Sequence, residues 1–201
     1  MFHDSSIHYF FNWSKGRIDE MDAAVSSLEA KAGDVQADLQ SHANQLLFDL
    51  RKRRDDFKAV VNNAMEANTA DINDVKLELE TEWTQFEIYL KKYVETFGDK
   101  VKQQQSTFKL QADAQLSAWR DAANNFEAAA TQFAAERRTE FDAVVNRMRA
   151  DAGVAEDKIN TMKGAGTESW SALMTGLTET RAAADRANQS VREAFKKATA
   201  V

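Results

Sequence analysis

Residues 72–101 read INDVKLELETEWTQFEIYLKKYVETFGDKV, and this stretch decides the fold class. Its main apolar stripe advances in steps of three and four residues and comprises Ile72, Val75, Leu79, Trp83, Phe86, Leu90, Val94, Phe97 and Val101. That spacing places the side chains on one face of an α-helix. Short runs that alternate between apolar and polar residues, VKLELE at 75–80 and ADAQLSA at 112–118, lie inside longer helical stripes, so no strand is predicted. The sequence therefore predicts an all-α protein.

The same periodicity extends outward over most of the 201 residues. We predict helices at about 17–97, 101–163 and 167–198. The chain has no proline and only seven glycines, so it lacks the residues that most often interrupt helices. The prediction is a long antiparallel helical hairpin, a coiled coil, whose shorter third helix packs back to give a three-helix bundle at one end. We divide the chain into an aromatic-rich segment at 1–16 and a single elongated bundle at 17–198.

Gly98 and Asp99 are the predicted hairpin turn, because a glycine followed by a capping residue ends one helix and starts the next. An internal repeat supports this turn. The segments 53–62 (RRDDFKAVVN) and 137–146 (RRTEFDAVVN) are identical at seven of ten positions, and their midpoint lies beside Gly98. Two alternatives stay open: a straight helix through Gly98 whose copies meet across a dimer two-fold, and chance similarity.

Within the repeat, basic residues interrupt the apolar stripe just before a phenylalanine. The predicted register-setting residues are Arg53, Arg54, Phe57, Arg137, Arg138 and Phe141. Charged residues that interrupt a coiled-coil seam commonly fix register and partner choice. A solvated face and an anion-binding patch are the competing interpretations of these arginines.

Large aromatic side chains occupy the predicted packing seam on both sides of Gly98. They are Trp83, Phe86, Tyr93, Phe97, Trp119, Phe126 and Phe133. A two-helix arm buries only a narrow stripe of each helix, so a single chain would leave these rings half-exposed. We therefore expect a homodimer or a higher homo-oligomer.

The first seventeen residues combine aromatic and basic side chains. The candidate surface anchor comprises Phe2, Ile7, Phe10, Phe11 and Trp13, with Lys15 and Arg17 just after it. Aromatic rings next to basic groups suit the boundary of a lipid bilayer. The interpretation that we favour over an anchor is that the segment folds back onto the bundle end near Trp170, and docking to a protein is a third alternative.

Catalysis is nearly excluded by the residues that are missing. The chain has no cysteine and three histidines, and it carries no phosphate-binding loop, nucleophile elbow or metalloprotease motif. We predict no enzyme activity, no cofactor and no metal. The net charge of −6 argues against nucleic acid as a partner, and no apolar run is long enough for a transmembrane span.

The sequence thus favours a non-enzymatic scaffold protein that acts by self-association or through protein partners, in the cytoplasm. The alternative is a helical protein peripheral to a membrane or granule, anchored by residues 1–17. In composition, periodicity and length the chain is similar to phasins and to helical-hairpin dimers of the BAR class. That resemblance is general in character and assigns no role to any residue.

Overall fold

The computed structural model describes residues 3–66, 72–97, 102–131, 133, 135–165 and 170–199, with side chains for 9–66, 74–97, 103–131, 133, 138–164 and 170–198. These residues form six α-helices and one short 3-10 helix, and no strand is found among them. In chain order the helices are α1 (His3–Glu29), the 3-10 turn Ala32–Asp34, α2 (Gln40–Glu66), α3 (Ile72–Phe97), α4 (Lys102–Ala130), α5 (Ala135–Ala165) and α6 (Trp170–Thr199). The all-α prediction is confirmed, as a helical bundle with extensive contacts between helices.

Four of the helices form the main core. Helix α1 lies antiparallel to α4, where the hydroxyl groups of Ser27 and Thr107 are 3.0 Å apart. Helix α4 packs on α5, α5 packs on α6, and α6 returns to α1. The predicted third helix thus corresponds to α6, which packs back against its predecessor.

Helices α2 and α3 form an antiparallel pair that is attached to this core mainly through α1. Within the pair, the Arg53 guanidinium donates to Glu82 at 2.8 Å, and the ring of His42 meets that of Phe97 edge-on. We call this unit the α2–α3 pair. It covers one side of α1, while α4 and α6 cover the others.

The predicted single helix at 17–97 is wrong, because α1 ends at Glu29 and α2 begins at Gln40. Between them the backbone makes a 3-10 turn and passes through an extended residue, Val35. The apolar stripe continues through this turn, so local pattern alone gives no reason for the break. Tertiary packing supplies the reason: folding back places Phe57 against Trp13 and pairs Lys58 with Asp22, and such burial outweighs local helix propensity.

The predicted boundary at residue 16 is also absent, since α1 runs without interruption from His3 through Gly16. A side-chain methyl at Gly16 would lie 3.6 Å from the Cβ of Ala118, so the helix passes close to α4 at this point. The predicted second helix at 101–163 is divided as well. It ends as α4 at Ala130, and α5 starts at Ala135.

The long hairpin folded at Gly98 is not found. In the described part of the chain α3 and α4 do not form a packed pair, and neither do α2 and α5. The two copies of the repeat therefore lie on separate helices instead of side by side. Gly98 and Asp99 themselves lie outside the described residues. The sequence pattern identified the buried faces of the helices but did not determine which faces meet.

Candidate interaction surfaces and a buried charge network

A buried ion-pair network joins α1, α3 and α6 at the centre of the bundle. The Arg181 guanidinium donates from Nε to Oε2 of Glu20 at 2.7 Å, and from Nη1 to Oε1 of Glu87 at 2.5 Å. Glu20 and Arg181 are both buried. Because each carboxylate comes from a different helix, Arg181 fixes the positions of α1 and α3 relative to α6.

Arg17 extends this network on α1. Its guanidinium donates to Oδ2 of Asp185 at 2.8 Å and lies 3.8 Å from Oε1 of Glu20. The guanidinium carbons of Arg17 and Arg181 stand 5.2 and 4.7 Å from the ring of Trp83. Both cations thus lie within the range at which an aromatic ring attracts positive charge. Trp83 therefore contributes a cation–π attraction to both arginines in addition to the apolar surface that it buries.

The network perturbs the protonation of its members. Burial raises the pKa of the Glu20 carboxyl, and this effect outweighs the opposing influence of Arg181 and Arg17. For Arg181, burial lowers the pKa, but the carboxylates of Glu20 and Glu87 outweigh it and raise the pKa overall. Arg181 consequently stays charged, and the Glu20 carboxyl takes up a proton at a higher pH than an ordinary glutamate does.

The predicted aromatic seam lies inside a single chain. Five of its members are buried in the core, namely Trp83, Phe86, Tyr93, Trp119 and Phe126. Phe97 and Phe133 are partly buried against the same core. The expectation that one chain would leave these rings half-exposed is therefore wrong, because six helices supply more buried surface than a two-helix arm. The seam gives no reason to expect a dimer.

The first repeat copy does not reach the second. Arg53 bonds Glu82 on α3, and its guanidinium lies 4.9 Å from the ring of Tyr89. Arg54 pairs with Asp55 and Asp22, the latter on α1. The arginines of this copy therefore bridge neighbouring helices instead of setting a register between copies.

The second repeat copy lies on α5 and has other neighbours. Arg138 is 3.5 Å from Asp142 one turn along, and the side chain of Arg137 lies outside the described residues. Phe141 packs against Phe133 and Phe195, whereas its counterpart Phe57 packs against Trp13. The two phenylalanines share a sequence pattern but belong to different parts of the core.

The described residues of the candidate anchor differ in burial. Phe10 and Trp13 stack in the core with their ring centroids 6.3 Å apart, so in this fold neither is free to enter a surface. Phe11 faces outward and is 40% exposed. The side chains of Phe2 and Ile7 lie outside the described residues. None of the described helices combines the length and apolarity needed to span a bilayer.

The part of the chain described here holds no group of three or more His, Asp or Glu side chains placed to share a metal ion. An open groove of about 360 Å³ lies between α3 and α6. The apolar side chains of Trp170 and Met174 line it together with the charged residues Glu87, Lys91 and Glu179. Both of these carboxylates are already paired, Glu87 with Arg181 and Glu179 with Lys158. The groove therefore offers apolar area with little free charge.

Large apolar side chains are exposed mainly on the α2–α3 pair. Four described residues of this kind are more than half exposed: Phe48 (58%), Leu77 (65%), Ile88 (53%) and Val154 (70%). Three of the four lie on the α2–α3 pair. Single exposed apolar residues are common on protein surfaces, so the relevant question is whether any of them share a face.

Leu77 and Ile88 do share a face of α3, and two threonines lie between them. We call Leu77, Thr81, Thr84 and Ile88 the α3 outer stripe; all four are exposed. The hydroxyls of Thr81 and Thr84 donate to the carbonyl oxygens of Leu77 at 3.2 Å and Glu80 at 2.9 Å. Because those hydroxyls are engaged within the helix, the stripe presents mainly methyl groups to solvent.

Sequence reasoning missed both the stripe and the charge network, although each left a signal. Leu77 and Ile88 are apolar residues eleven positions apart that fall outside the main seam of α3. In α6 the apolar seam has a gap of seven residues between Leu177 and Ala184. The residues that are buried within this gap are polar or charged, namely Thr180 and Arg181. The sequence therefore shows a charged residue at a seam position of α6, but it does not show which carboxylates pair with that residue.

Comparison of the chain with protein-family models, with curated proteins and with solved structures gives no match. The function is therefore argued from the surfaces and contacts described above.

Proposed function

We propose that this protein is a non-enzymatic helical scaffold that acts by self-association, and that its contact surface is the α3 outer stripe. The observation that carries the proposal is the spacing of four exposed, uncharged side chains, Leu77, Thr81, Thr84 and Ile88, in steps of four, three and four residues. Such spacing on an exposed helix face is the pattern of a helix–helix seam. The second copy of the chain supplies the matching helix.

The charges around the stripe favour an antiparallel arrangement. Within α3, Glu80 near the Leu77 end pairs with Lys76, and Lys91 beyond the Ile88 end pairs with Glu95. Glu78 at the first end and Lys92 at the second are then the charges that distinguish the two ends. When two copies of α3 cross antiparallel, each basic end approaches the acidic end of the partner. A parallel arrangement would bring like charges together, which is unfavourable. An antiparallel contact also uses the same patch on both copies, as a two-fold dimer requires.

The size of the stripe indicates the strength of the contact. Eleven residues of helix extend about 16 Å, which is short compared with the surface that stable dimers usually bury. We therefore expect a dimer with a dissociation constant in the micromolar range or weaker, about −8 kcal/mol or less favourable. A weak contact of this kind suits an assembly that forms when the protein is concentrated, and screening of the charged ends by salt should weaken it further.

The test is sedimentation equilibrium of the full chain over a wide concentration range. We expect a monomer–dimer equilibrium for the wild type, and a monomer for the double variant Leu77→Glu, Ile88→Glu. Val154→Glu on α5 is the matched control, because it replaces an equally exposed apolar residue away from α3. Circular dichroism checks that the variants keep their helices. A wild type that stays monomeric at millimolar concentration, or a double variant that dimerises like the control, overturns the proposal.

The same variants separate self-association from surface binding. Wild-type protein and the double variant are sedimented with anionic phospholipid vesicles and with neutral ones. Self-association through the stripe predicts that the wild type dimerises without vesicles, and that the double variant stays monomeric with or without them. If the wild type is monomeric in solution but binds vesicles, and a Phe11→Ser variant does not, the function is instead that of a peripheral surface-binding protein.

A further inference from the structure

We propose that a polar cavity between α1, α4, α5 and α6 is a binding site for ordered water and holds two molecules. The cavity measures about 30 Å³. Its lining residues come from all four core helices and include Asn12, Trp13, Gln115, Trp119, Met148 and Asn188. This inference is independent of the self-association proposed above, because the cavity is in the core and the stripe is on the outer face of α3.

The polar atoms of the lining carry the inference. Six of them have no hydrogen-bond partner within the protein: Asn12 Nδ2, Trp13 Nε1, Gln115 Nε2, Gln115 Oε1, Trp119 Nε1 and Asn188 Oδ1. All five side chains are more than nine-tenths buried. Buried polar groups in folded proteins are almost always hydrogen-bonded. Five residues that line one cavity carry six such atoms, and this concentration points to a ligand that bonds to them.

The volume of the cavity and the number of unpartnered polar atoms both indicate two water molecules. A cavity needs roughly 10–15 Å³ to hold one water, so one of about 30 Å³ has room for two. A buried water makes two to four hydrogen bonds, and two waters therefore have enough capacity for all six atoms.

The chemistry of the lining favours water over an ion. Four of the six atoms are N–H donors and two are carbonyl oxygens that accept. Water can accept from the former and donate to the latter, which a halide cannot do. None of the described residues that line the cavity is basic, so no cationic side chain there would hold an anion. Asp185 also lines the cavity, but its carboxylate is paired with Arg17. A cation would meet four N–H groups, whose positive ends face it.

The two buried indole groups make the site observable. The chain has four tryptophans, of which Trp13 and Trp119 line the cavity while Trp83 and Trp170 do not. In ¹⁵N-resolved spectra of the wild-type protein, we expect the indole protons of Trp13 and Trp119 to show cross-peaks to long-lived water. Those peaks should have opposite signs in the NOE and ROE experiments, whereas proton exchange gives the same sign in both. The absence of water contacts at both indoles overturns the proposal.

A variant pair ties the signal to this cavity. Asn188→Leu removes one acceptor while keeping the size of the side chain similar, and it should reduce or abolish the long-lived water contacts at Trp119 or Trp13. Asn146→Leu, at an exposed position on α5, is the matched control and should leave them unchanged. Contacts that are as strong in Asn188→Leu as in the wild type place the water elsewhere and overturn the assignment. A chloride titration at constant ionic strength that shifts both indole signals, without water contacts, identifies an anion instead.

Discussion

Nε of Arg181 lies 2.7 Å from Oε2 of Glu20, and this hydrogen bond joins residues that are 161 positions apart in the chain. It connects the last helix to the first, deep in the bundle, and Glu87 of α3 accepts from the same guanidinium. A buried pair of this kind contributes less to stability than an apolar contact of equal volume. We expect the pair to act on specificity instead, because an arrangement that separates the three helices would leave these charges without their partners.

Removing one member of the pair should destabilise the fold strongly. We expect Glu20→Ala to lower the free energy of unfolding by about 3–5 kcal/mol, because Arg181 is then left buried with only Glu87. Urea denaturation followed by circular dichroism measures this change. Lys158→Ala is the control: its partner Glu179 is exposed, and a surface pair contributes about 0–1 kcal/mol. Equal effects of the two variants would contradict a structural role for the buried pair.

The double variant Glu20→Leu, Arg181→Met tests whether the charges themselves are needed. Replacing both by apolar groups removes the desolvation cost of the pair, so the double variant should be more stable than either single variant. The coupling energy from the double-mutant cycle should exceed about 0.5 kcal/mol, since the side chains are in direct contact. An additive result would mean that the 2.7 Å contact carries no energy of its own.

The raised pKa of Glu20 predicts a definite pH dependence. An unfolded chain holds glutamate at its ordinary pKa of about 4.3, whereas burial raises the pKa of Glu20 in the folded chain. Between the two values the folded state binds the proton more tightly. The resulting stabilisation is therefore fully present below about pH 4.3 and is lost as the pH rises through the folded pKa.

Glu20→Gln isolates this contribution, because glutamine does not titrate and keeps the size of the side chain. We expect the stability of the wild type, measured relative to Glu20→Gln, to increase as the pH falls from 7 towards 4.3. Titrating groups remote from Glu20 are common to both proteins and cancel in the difference. A flat difference would show that Arg181 and Arg17 fully offset burial, and an opposite slope would show that they exceed it.

The helical class and the buried faces could be predicted from the sequence, because amphipathic spacing is a local property. The seam from Leu79 to Phe97 is buried or partly buried in α3 as its spacing indicates. The path of the chain could not be predicted in the same way. The turn at Ala32–Asp34 interrupts a continuous apolar stripe, and only the contacts of α2 with α1 make it favourable.

The candidate sites differ in the same way, because some depend on one helix and others on several. The stripe on α3 depends on positions in one helix, so its signal is present in the sequence even though it was passed over. The charge network and the polar cavity depend on three and four helices respectively. Neither can be located without knowing which helices meet. Gln115 illustrates this, because nothing in its sequence neighbourhood distinguishes it from an exposed glutamine.

Substitution by alanine should affect stability differently at two glycines that lie inside helices. A methyl at Gly153 in α5 would meet nothing within 4 Å, so Gly153→Ala should stabilise the protein by about 1 kcal/mol through helix propensity. A methyl at Gly176 in α6 would overlap the thioether end of Met162 on α5. Gly176→Ala should therefore be less stable than Gly153→Ala, and urea denaturation of both compares them. Equal gains would mean that Met162 repacks without cost.

The antiparallel contact of α1 with α4 makes the topology testable by crosslinking, because the chain has no native cysteine. The hydroxyls of Ser27 and Thr107 are 3.0 Å apart, so the variant Ser27→Cys, Thr107→Cys should form an intrachain disulfide on mild oxidation. The matched variant Ala59→Cys, Ala143→Cys places cysteines at exposed equivalent positions of the two repeat copies. It should form no intrachain disulfide, because α2 and α5 are not a packed pair.

The long hairpin folded at Gly98 predicts the reverse result, with the repeat copies joined and Ser27 remote from Thr107. Non-reducing electrophoresis of dilute protein distinguishes the two topologies, since a disulfide within one chain changes its mobility without doubling its mass.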